Sequence, residues 1–477
     1  MNLFEILHSF GSNVWIYGGT FILVLSILVF VHEWGHYIVA RYHKVRVETF
    51  SIGFGREIFG WNDKHGTRWK FSMIPLGGYV KLYGDVDPAS MQQSDNIEDS
   101  DSGQMRPMSE QERSVAFFSK SVAQRSAIVF AGPAINYIFA IILLMGLYVT
   151  HGKPVTPPVA AAVIGGSSAE QYGFEPHDKI LRIDGRSMNS FEDIRTAMMI
   201  ALDTERHFVV ERDGEQLDIF ARAEKVEQQD RFGFRHSRGL LGLISPRHAI
   251  QVNTISEIDG VAFELDAIDA KVEALKARMG QVFTIVLDRA GNKEVLTIKP
   301  LEENNTAFFE HGQAEEISES GEVLPFDAAR VLLHISDGAP NEFVKFGVFT
   351  AMIEATKQTY VITTGTLNAL GQMITGTRSA TELGGIIRIG AVAGDMAQQG
   401  LVALILFTAL LSINLGLINL FPIPMLDGGH LVFYACEALR GKPVSEQVQE
   451  YAFRFGLFFL VCIMVFANLN DILQLVL

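Results

Sequence analysis

The amino-acid sequence predicts a multi-pass α-helical membrane protein with four transmembrane helices, a membrane-dipping β-hairpin and a soluble α+β insert. Three observations lead there. Four apolar runs, at Tyr17–Ala40, 127–149, 401–421 and 455–475, reach the roughly 17–25 residues that a bilayer crossing needs. A chain of 477 residues is too long for one compact core, so several domains are expected. The sequence between the second and third runs changes to alternating soluble strand and helix patterns. The 48% apolar content is thus concentrated in dense runs, and the net charge of −15 leaves no basic patch for a phosphate backbone, which excludes nucleic acid as a partner.

The first span, residues 1–40, has no Lys or Arg before Arg41, so it lacks the basic leading region of a cleaved signal peptide. Arg41, Lys44 and Arg46 follow it instead, which puts the start of the chain outside and residue 41 in the cytoplasm. The span ends in Val31-His32-Glu33-Trp34-Gly35-His36. Histidines four apart share one helix face, where both imidazoles can reach one metal ion, and Glu33 is then placed as general base on water. An ionisable group at mid-membrane costs roughly 2.5–3.5 kcal/mol. A bound zinc ion offsets that cost.

Residues 41–125 are expected in the cytoplasm. Over 68–83 two β-prone arms flank Pro75-Leu76-Gly77-Gly78, which reads as a hairpin with its turn there. The arms are apolar enough to dip into the membrane beside the histidines. One reading is an edge to which an extended substrate adds as a strand, with Gly77, Gly78 and Tyr79 in contact with it. The other is an ordinary hairpin packed on the helices. Asp85 to Gln111 is polar and acidic and reads as a flexible linker. The second span, 126–150, opens on small residues, Ala131-Gly132-Pro133, that suit close helix packing, and Asn136 must find a polar partner within the bundle.

The soluble insert reads as two modules. Residues 158–223 carry a strand at 159–164, then Gly173-Phe174, Asp178-Lys179-Ile180 and Ile183-Asp184-Gly185, a helix over 191–201, and two strands around Asp213-Gly214. This order resembles a circularly permuted bacterial PDZ domain, a fold whose groove takes peptide strands or C-termini. A second, shortened copy is expected at 239–300, from Gly239-Leu240-Leu241-Gly242 to strands around Arg289-Ala290-Gly291. It lacks room for the carboxylate loop and reads as a degenerate structural module. Residues 301–400 are expected as a periplasmic loop followed by an amphipathic segment on the outer membrane surface, from 341 to 376.

The third span, 401–427, ends in Asn419-Leu420-Phe421-Pro422-Ile423-Pro424-Met425-Leu426-Asp427-Gly428-Gly429-His430. Broken backbone at membrane depth survives only when buried in protein or lining a polar cavity. The topology puts this break level with His32 and His36, so Asp427 is the natural third metal ligand, with His430 a weaker candidate. The fourth span is 453–475. Cys436 and Cys462 form no metal pattern and no disulfide framework.

Together, His32-Glu33-Trp34-Gly35-His36, Ile74-Pro75-Leu76-Gly77-Gly78-Tyr79, Ala131-Gly132-Pro133 and Asn419 through Gly429 resemble the site-2 family of intramembrane zinc metalloproteases, in its PDZ-containing form. The resemblance implies Zn2+ as cofactor, held by His32, His36 and Asp427, with Glu33 catalytic. It implies substrate contacts at Asn419, Pro422, Pro424 and the 77–79 stretch. It further implies single-span membrane proteins as substrates, already trimmed on the periplasmic side, such as anti-sigma factors, and remnant signal peptides. Inserted periplasmic PDZ domains would bind the trimmed stub or filter substrates by size. The location implied is the bacterial inner membrane, with both termini periplasmic and the active site near the cytoplasmic side of the lipid bilayer. Two rivals stand beside this reading: a membrane-anchored PDZ adaptor with a structural metal, and a zinc transporter.

Overall fold

Helices form where the apolar runs lie. In the computed structural model, which describes residues 3–84, 96–98, 105–230, 232–289, 291–309, 331–335 and 342–476, helix α1 spans Leu3–Tyr42. Strands β1 (Val47–Asn62) and β2 (Arg68–Leu82) follow it. Helix α2 (Val122–Thr150) opens on a capping box, in which Ser121 Oγ accepts from the Gln124 N–H and Gln124 Oε1 accepts from the Ser121 N–H. After the soluble insert come α3 (Val348–Thr375), α4 (Ile386–Gln398), α5 (Leu401–Asn419), α6 (Asp427–Arg440) and α7 (Glu446–Val476). Among the described residues, four stretches are long and apolar enough to cross a membrane: Ile16–Tyr42, Val122–Thr150, Leu401–Asn419 and Gln447–Leu475. Their outward faces stay apolar and exposed, as at Leu457, Phe458 and Met464 on α7, which suits contact with lipid. The linker expected over 85–111 and the loop over 302–324 lie largely outside the described residues.

Small residues set the bundle core. Ala140 and Leu144 of α2 meet Ala351 and Ala355 of α3 and Ala409 and Ile413 of α5 in one buried cluster. Helix α3 covers the segment expected to be amphipathic, and Glu354 on it is paired with Lys357 at 2.8 Å and Lys153 at 3.6 Å. Helix α4 begins at a glycine that offers no side-chain cap. Asp471 of α7 supplies the missing acceptor, taking the N–H groups of Gly385 and Arg388 at 2.9 Å each. One helix therefore caps another.

The hairpin departs from expectation. Its turn lies at 63–67, not at Pro75–Gly78, because Asp63 Oδ1 accepts the N–H groups of His65 and Thr67 and closes the loop there. Pro75–Gly78 is instead a bend inside β2, with Gly77 at a φ of +130°. As a result β2 meets β1 along three stretches. Thr49 to Ile52 lie opposite Arg68 to Phe71 on one side and Lys81 to Gly78 on the other, while Glu57 to Asn62 pair with Ser72 to Arg68. The folded-over sheet stands against α1, with Phe50 stacked on Trp69 at 4.2 Å and Tyr37 edge-on to both.

The third span also ends sooner than expected. Helix α5 stops at Asn419, and residues 420–426 form an irregular loop before α6 starts at Asp427.

In the insert, strands at 215–222, 205–212, 179–183 and 186–187 form one sheet, with the helix Phe191–Met199 nearby. The second sheet does not respect the boundaries at 158–223 and 239–300. Its order is 243–244, 162–164, 292–298, 283–289, 255–258 and 261–262, so the strand Ala162–Ile164 from the first module sits inside the sheet of the second. Ala160 and Val163 belong to the first apolar core and Ala161 and Ala162 to the second. A further strand, Leu332–His334, pairs with 249–251 beyond the expected end. The first module completes its own sheet, whereas the second borrows a strand from the first.

Candidate metal centre

His32 and His36 project from one face of α1 towards α2. Their Nε2 atoms lie 3.2 Å apart, with the rings nearly perpendicular. Close approach of the helices depends on Gly132, where a Cβ would run into the His36 ring and come within 2.9 Å of His32 Cε1. Each imidazole is braced through its other nitrogen. His36 Nδ1 lies 2.9 Å from the Ile128 carbonyl oxygen, and His32 Nδ1 lies 3.1 Å from the side-chain amide of the fully buried Asn136. Asn136 is itself placed by Ser412 of α5, whose hydroxyl donates to the Asn136 carbonyl at 2.8 Å. These contacts leave both Nε2 atoms free to face one point.

Asp427 arrives from the other side, at the first position of α6. Its Oδ2 is 3.2 Å from His32 Nε2, and its Oδ1 is 3.6 Å from His36 Nε2. Despite that closeness, Oδ2 is buried without a hydrogen-bond partner, a costly position for a carboxylate oxygen unless a cation sits there. A tetrahedral zinc site with bonds of about 2.1 Å has ligand-to-ligand edges of about 3.4 Å. The His32 Nε2 to His36 Nε2 and His32 Nε2 to Asp427 Oδ2 distances, 3.2 Å each, are close to that edge, and with one ligand atom from each residue all three lie within 4.8 Å of one another. Two imidazoles and one carboxylate, with one position open, form the donor set of a catalytic rather than a structural zinc. Ligation of a zinc through Nε2 would put the ring proton of His32 on Nδ1, where Asn136 would have to present its amide oxygen. Turning that amide over does so and gives the unpartnered Asn136 Oδ1 its hydrogen bond.

The cavity around the cluster has a volume of about 250 Å³. His32, Glu33 and His36 line it from α1, Gly78 to Val80 from β2, Asn419 from the end of α5, and Asp427 with His430 from α6. The Val80 N–H donates to the Glu33 carboxylate. A Cβ at Gly78 would lie 2.6 Å from the Ser51 carbonyl oxygen and 2.7 Å from a Val29 methyl, so only glycine lets the strand lie this close to α1. Among the residues singled out from sequence, Gly77, Pro422 and Pro424 do not line the cavity. His430 does, yet it stays outside the three-residue cluster, its ring 5.4 Å from that of Phe453. Asn136 and the Ile128 carbonyl are contributors that sequence reasoning left without a role at this site. A buried polar residue one helical turn beyond Gly132 was the available signal for the first. A backbone carbonyl gives none.

The hairpin turn is pinned to α1. Asp63 Oδ2 accepts from Tyr37 Oη at 2.9 Å and from Trp69 Nε1 at 3.1 Å. Burial raises the Asp63 pKa, but the hydrogen bonds from Trp69, Thr67, His65 and Tyr37 outweigh it and bring the carboxyl down to about 2.

The family model of Peptidase family M50 matches residues 20–463. The chain belongs to that family. This M50 peptidase is 35% identical to a protein of Agrobacterium fabrum named as a zinc metalloprotease, over 96% of this chain and 95% of that one. A Rhizobium meliloti protein of the same naming is 34% identical, over 95% of each chain. The regulator of sigma E protease of Haemophilus influenzae is 32% identical, over 96% of this chain and 98% of that one. An M50 peptidase is a zinc metalloprotease, and the donor set described above suits that metal.

Proposed function

We propose that this peptidase cuts its substrates within the membrane. One observation carries the reading: two histidines, an aspartate, a glutamate and a strand edge line a single cavity at the ends of helices able to cross a bilayer. His32, His36 and Asp427 hold zinc, which when bound supplies Lewis acidity to the attacking water and to the scissile carbonyl. Glu33, braced by the Val80 N–H, takes the proton of the water and hands it to the leaving amine. A transmembrane helix satisfies its own carbonyls, so a substrate must unwind before it reacts. The edge at Gly78 to Val80 then offers replacement hydrogen bonds by strand addition, and the Asn419 side chain takes a further backbone group of the substrate. Gly77, Pro422 and Pro424 serve this surface through the bends they impose rather than by touch.

The substrates in this reading are single-span proteins already trimmed on the periplasmic side, such as anti-sigma factors, and remnant signal peptides. The setting is regulated proteolysis in an envelope stress response, in a bacterial inner membrane. The name of the Haemophilus influenzae relative supports the sigma-E connection. Both termini are periplasmic, the catalytic end faces the cytoplasm, and the PDZ region, a PDZ domain followed by a degenerate copy, filters substrates by the size of the periplasmic stub. The basic residues Arg41, Lys44, Arg46, Lys120, Arg440 and Lys442 all fall on the side assigned to the cytoplasm, which supports this orientation.

The purified zinc-loaded protein in liposomes should cleave a single-span test substrate. Glu33→Gln should lower the rate by about 10²–10⁴-fold, the usual contribution of a general base, while still binding zinc. Bound zinc with no cleavage of any such substrate would favour the adaptor, and zinc flux across the vesicle would favour the transporter.

A further inference from the structure

One end of the cavity does no chemistry. There it is walled by Leu82, Phe117, Ile128, Val129 and Tyr434, all of them members of one buried apolar cluster. Phe117 comes from a stretch with no motif of its own. It follows the short helix Glu110–Val115, whose start is fixed by a capping box between Ser109 and Glu112. Two backbone hydrogen bonds then tie the stretch to the root of the sheet, and a third joins the two strand ends there. The Arg46 N–H donates to the Val115 carbonyl at 3.0 Å, the Phe117 N–H donates to Tyr83 at 3.0 Å, and the Tyr83 N–H donates to Arg46 at 2.9 Å. Phe117 is 7% exposed and its neighbour Ala116 is fully buried. The facing wall is equally fixed. The Arg125 guanidinium lies 4.9 Å from the centre of the Tyr434 ring and binds Glu437 at 2.6 Å, in a buried pair that holds α6 to α2.

These walls are parts of a packed core, so they do not yield to what enters. Strand addition at Gly78 to Val80 leaves the substrate's side chains alternating to either side of the extended backbone. A side chain next to the scissile bond that turns towards Leu82 meets only apolar surface. Resting on the reading of this site as an intramembrane protease, we infer that the apolar end is a side-chain subsite next to the scissile bond, with Phe117 setting its depth. It takes a medium-sized aliphatic residue. With Phe117 in place, the packed apolar wall leaves less room for a large aromatic side chain than for an aliphatic one.

The test uses single-span peptides in which the residue on either side of the scissile bond is varied, one at a time, among Ala, Leu, Phe and Trp. The zinc-loaded full-length protein is compared with Phe117→Ala, Phe117→Leu and Phe117→Trp. At one of the two positions the rate ratio of Trp to Leu should rise about tenfold or more in Phe117→Ala, since a few methylenes of pocket space discriminate on that scale. It should rise less in Phe117→Leu. In Phe117→Trp the preference should move towards Ala. Should Phe117→Ala lose its fold and its zinc, the opposite shifts of the Leu and Trp variants carry the decision. Ratios unchanged at both positions in the variants that cleave would overturn the subsite. Failure of the unmodified protein to cleave any of these peptides would instead sink the protease reading, and the subsite with it.

Discussion

The two halves of the metal centre are built in opposite ways. The histidine half stands on regular helix: His32 and His36 share a face of α1, and α2 braces both rings through Asn136 and the Ile128 carbonyl. The aspartate half stands where helix fails. Asp427 follows a seven-residue irregular loop, 420–426, in which Met425 holds a φ of +87°, and its Oδ2 has no hydrogen bond. A braced pair of histidines therefore faces a carboxylate that a bound cation would satisfy. The difference teaches how a metal can be part of the fold on one side of its site and a guest on the other. The histidine half keeps its shape through packing, whereas the aspartate half has the make-up of a site that a bound charge would complete.

This contrast can be broken or sharpened by experiment. The largest effect belongs to Asp427→Ala, which should abolish measurable cleavage and lower bound zinc far below one per chain by elemental analysis. The histidine half should nevertheless stay folded, read as an unchanged melting temperature of the metal-free protein. A matching collapse of the metal-free protein would end the contrast. Asn136→Leu should come next. It removes the brace and not the ligand, so zinc affinity or cleavage should fall about 10–100-fold, the usual cost of an orienting partner. A loss as deep as that of Asp427→Ala would show that the brace is not secondary.

Gly132→Ala should be milder. Helix propensity favours alanine by about 1 kcal/mol, but the added Cβ presses on both ligand rings. The melting temperature should therefore move little while zinc affinity drops about tenfold, which corresponds to 1.4 kcal/mol. Unchanged affinity would mean that the rings give way freely. The smallest effect concerns the hairpin. The Asp63 carboxyl is held at about 2 in the folded protein, below its ordinary value near 3.9. Its stabilising contribution is therefore complete above about pH 4 and disappears as the pH falls through 2. Tryptophan fluorescence, to which Trp61 and Trp69 contribute, should change across that window, and Asp63→Asn should remove the change.

Much of this architecture was legible in the residues, for a physical reason. A bilayer crossing demands a long apolar run, and helices α1, α2, α5 and α7 lie where such runs occur. His32 and His36 could be paired from spacing alone, because four residues return to the same helix face. Asp427 was reachable through topology, since two prolines and two glycines mark a break that must be paid for in burial. The hairpin misled because two turn signals compete within thirty residues. Pro75-Leu76-Gly77-Gly78 has the stronger composition, but Asp63 has the hydrogen bonds, and those depend on Tyr37 and Trp69 reaching it from elsewhere. Asn136 was visible as a polar residue in need of a partner, while the identity of that partner depended on the crossing of α1 and α2. Phe117 was not visible at all. An aromatic residue after a linker carries no pattern, and its position follows from two backbone hydrogen bonds to strand ends far away in sequence.

The strand Ala162–Ile164 bears on how this molecule can be taken apart. Its residues serve two apolar cores at once, and it is hydrogen-bonded within the sheet of the later module. Cutting the gene at a boundary between the modules would therefore strip a strand from one and uncover the core of the other. A truncation that looks like the loss of one recognition unit would be a lesion in both. Clean surgery removes the pair whole, or leaves the pair whole and blocks it from outside.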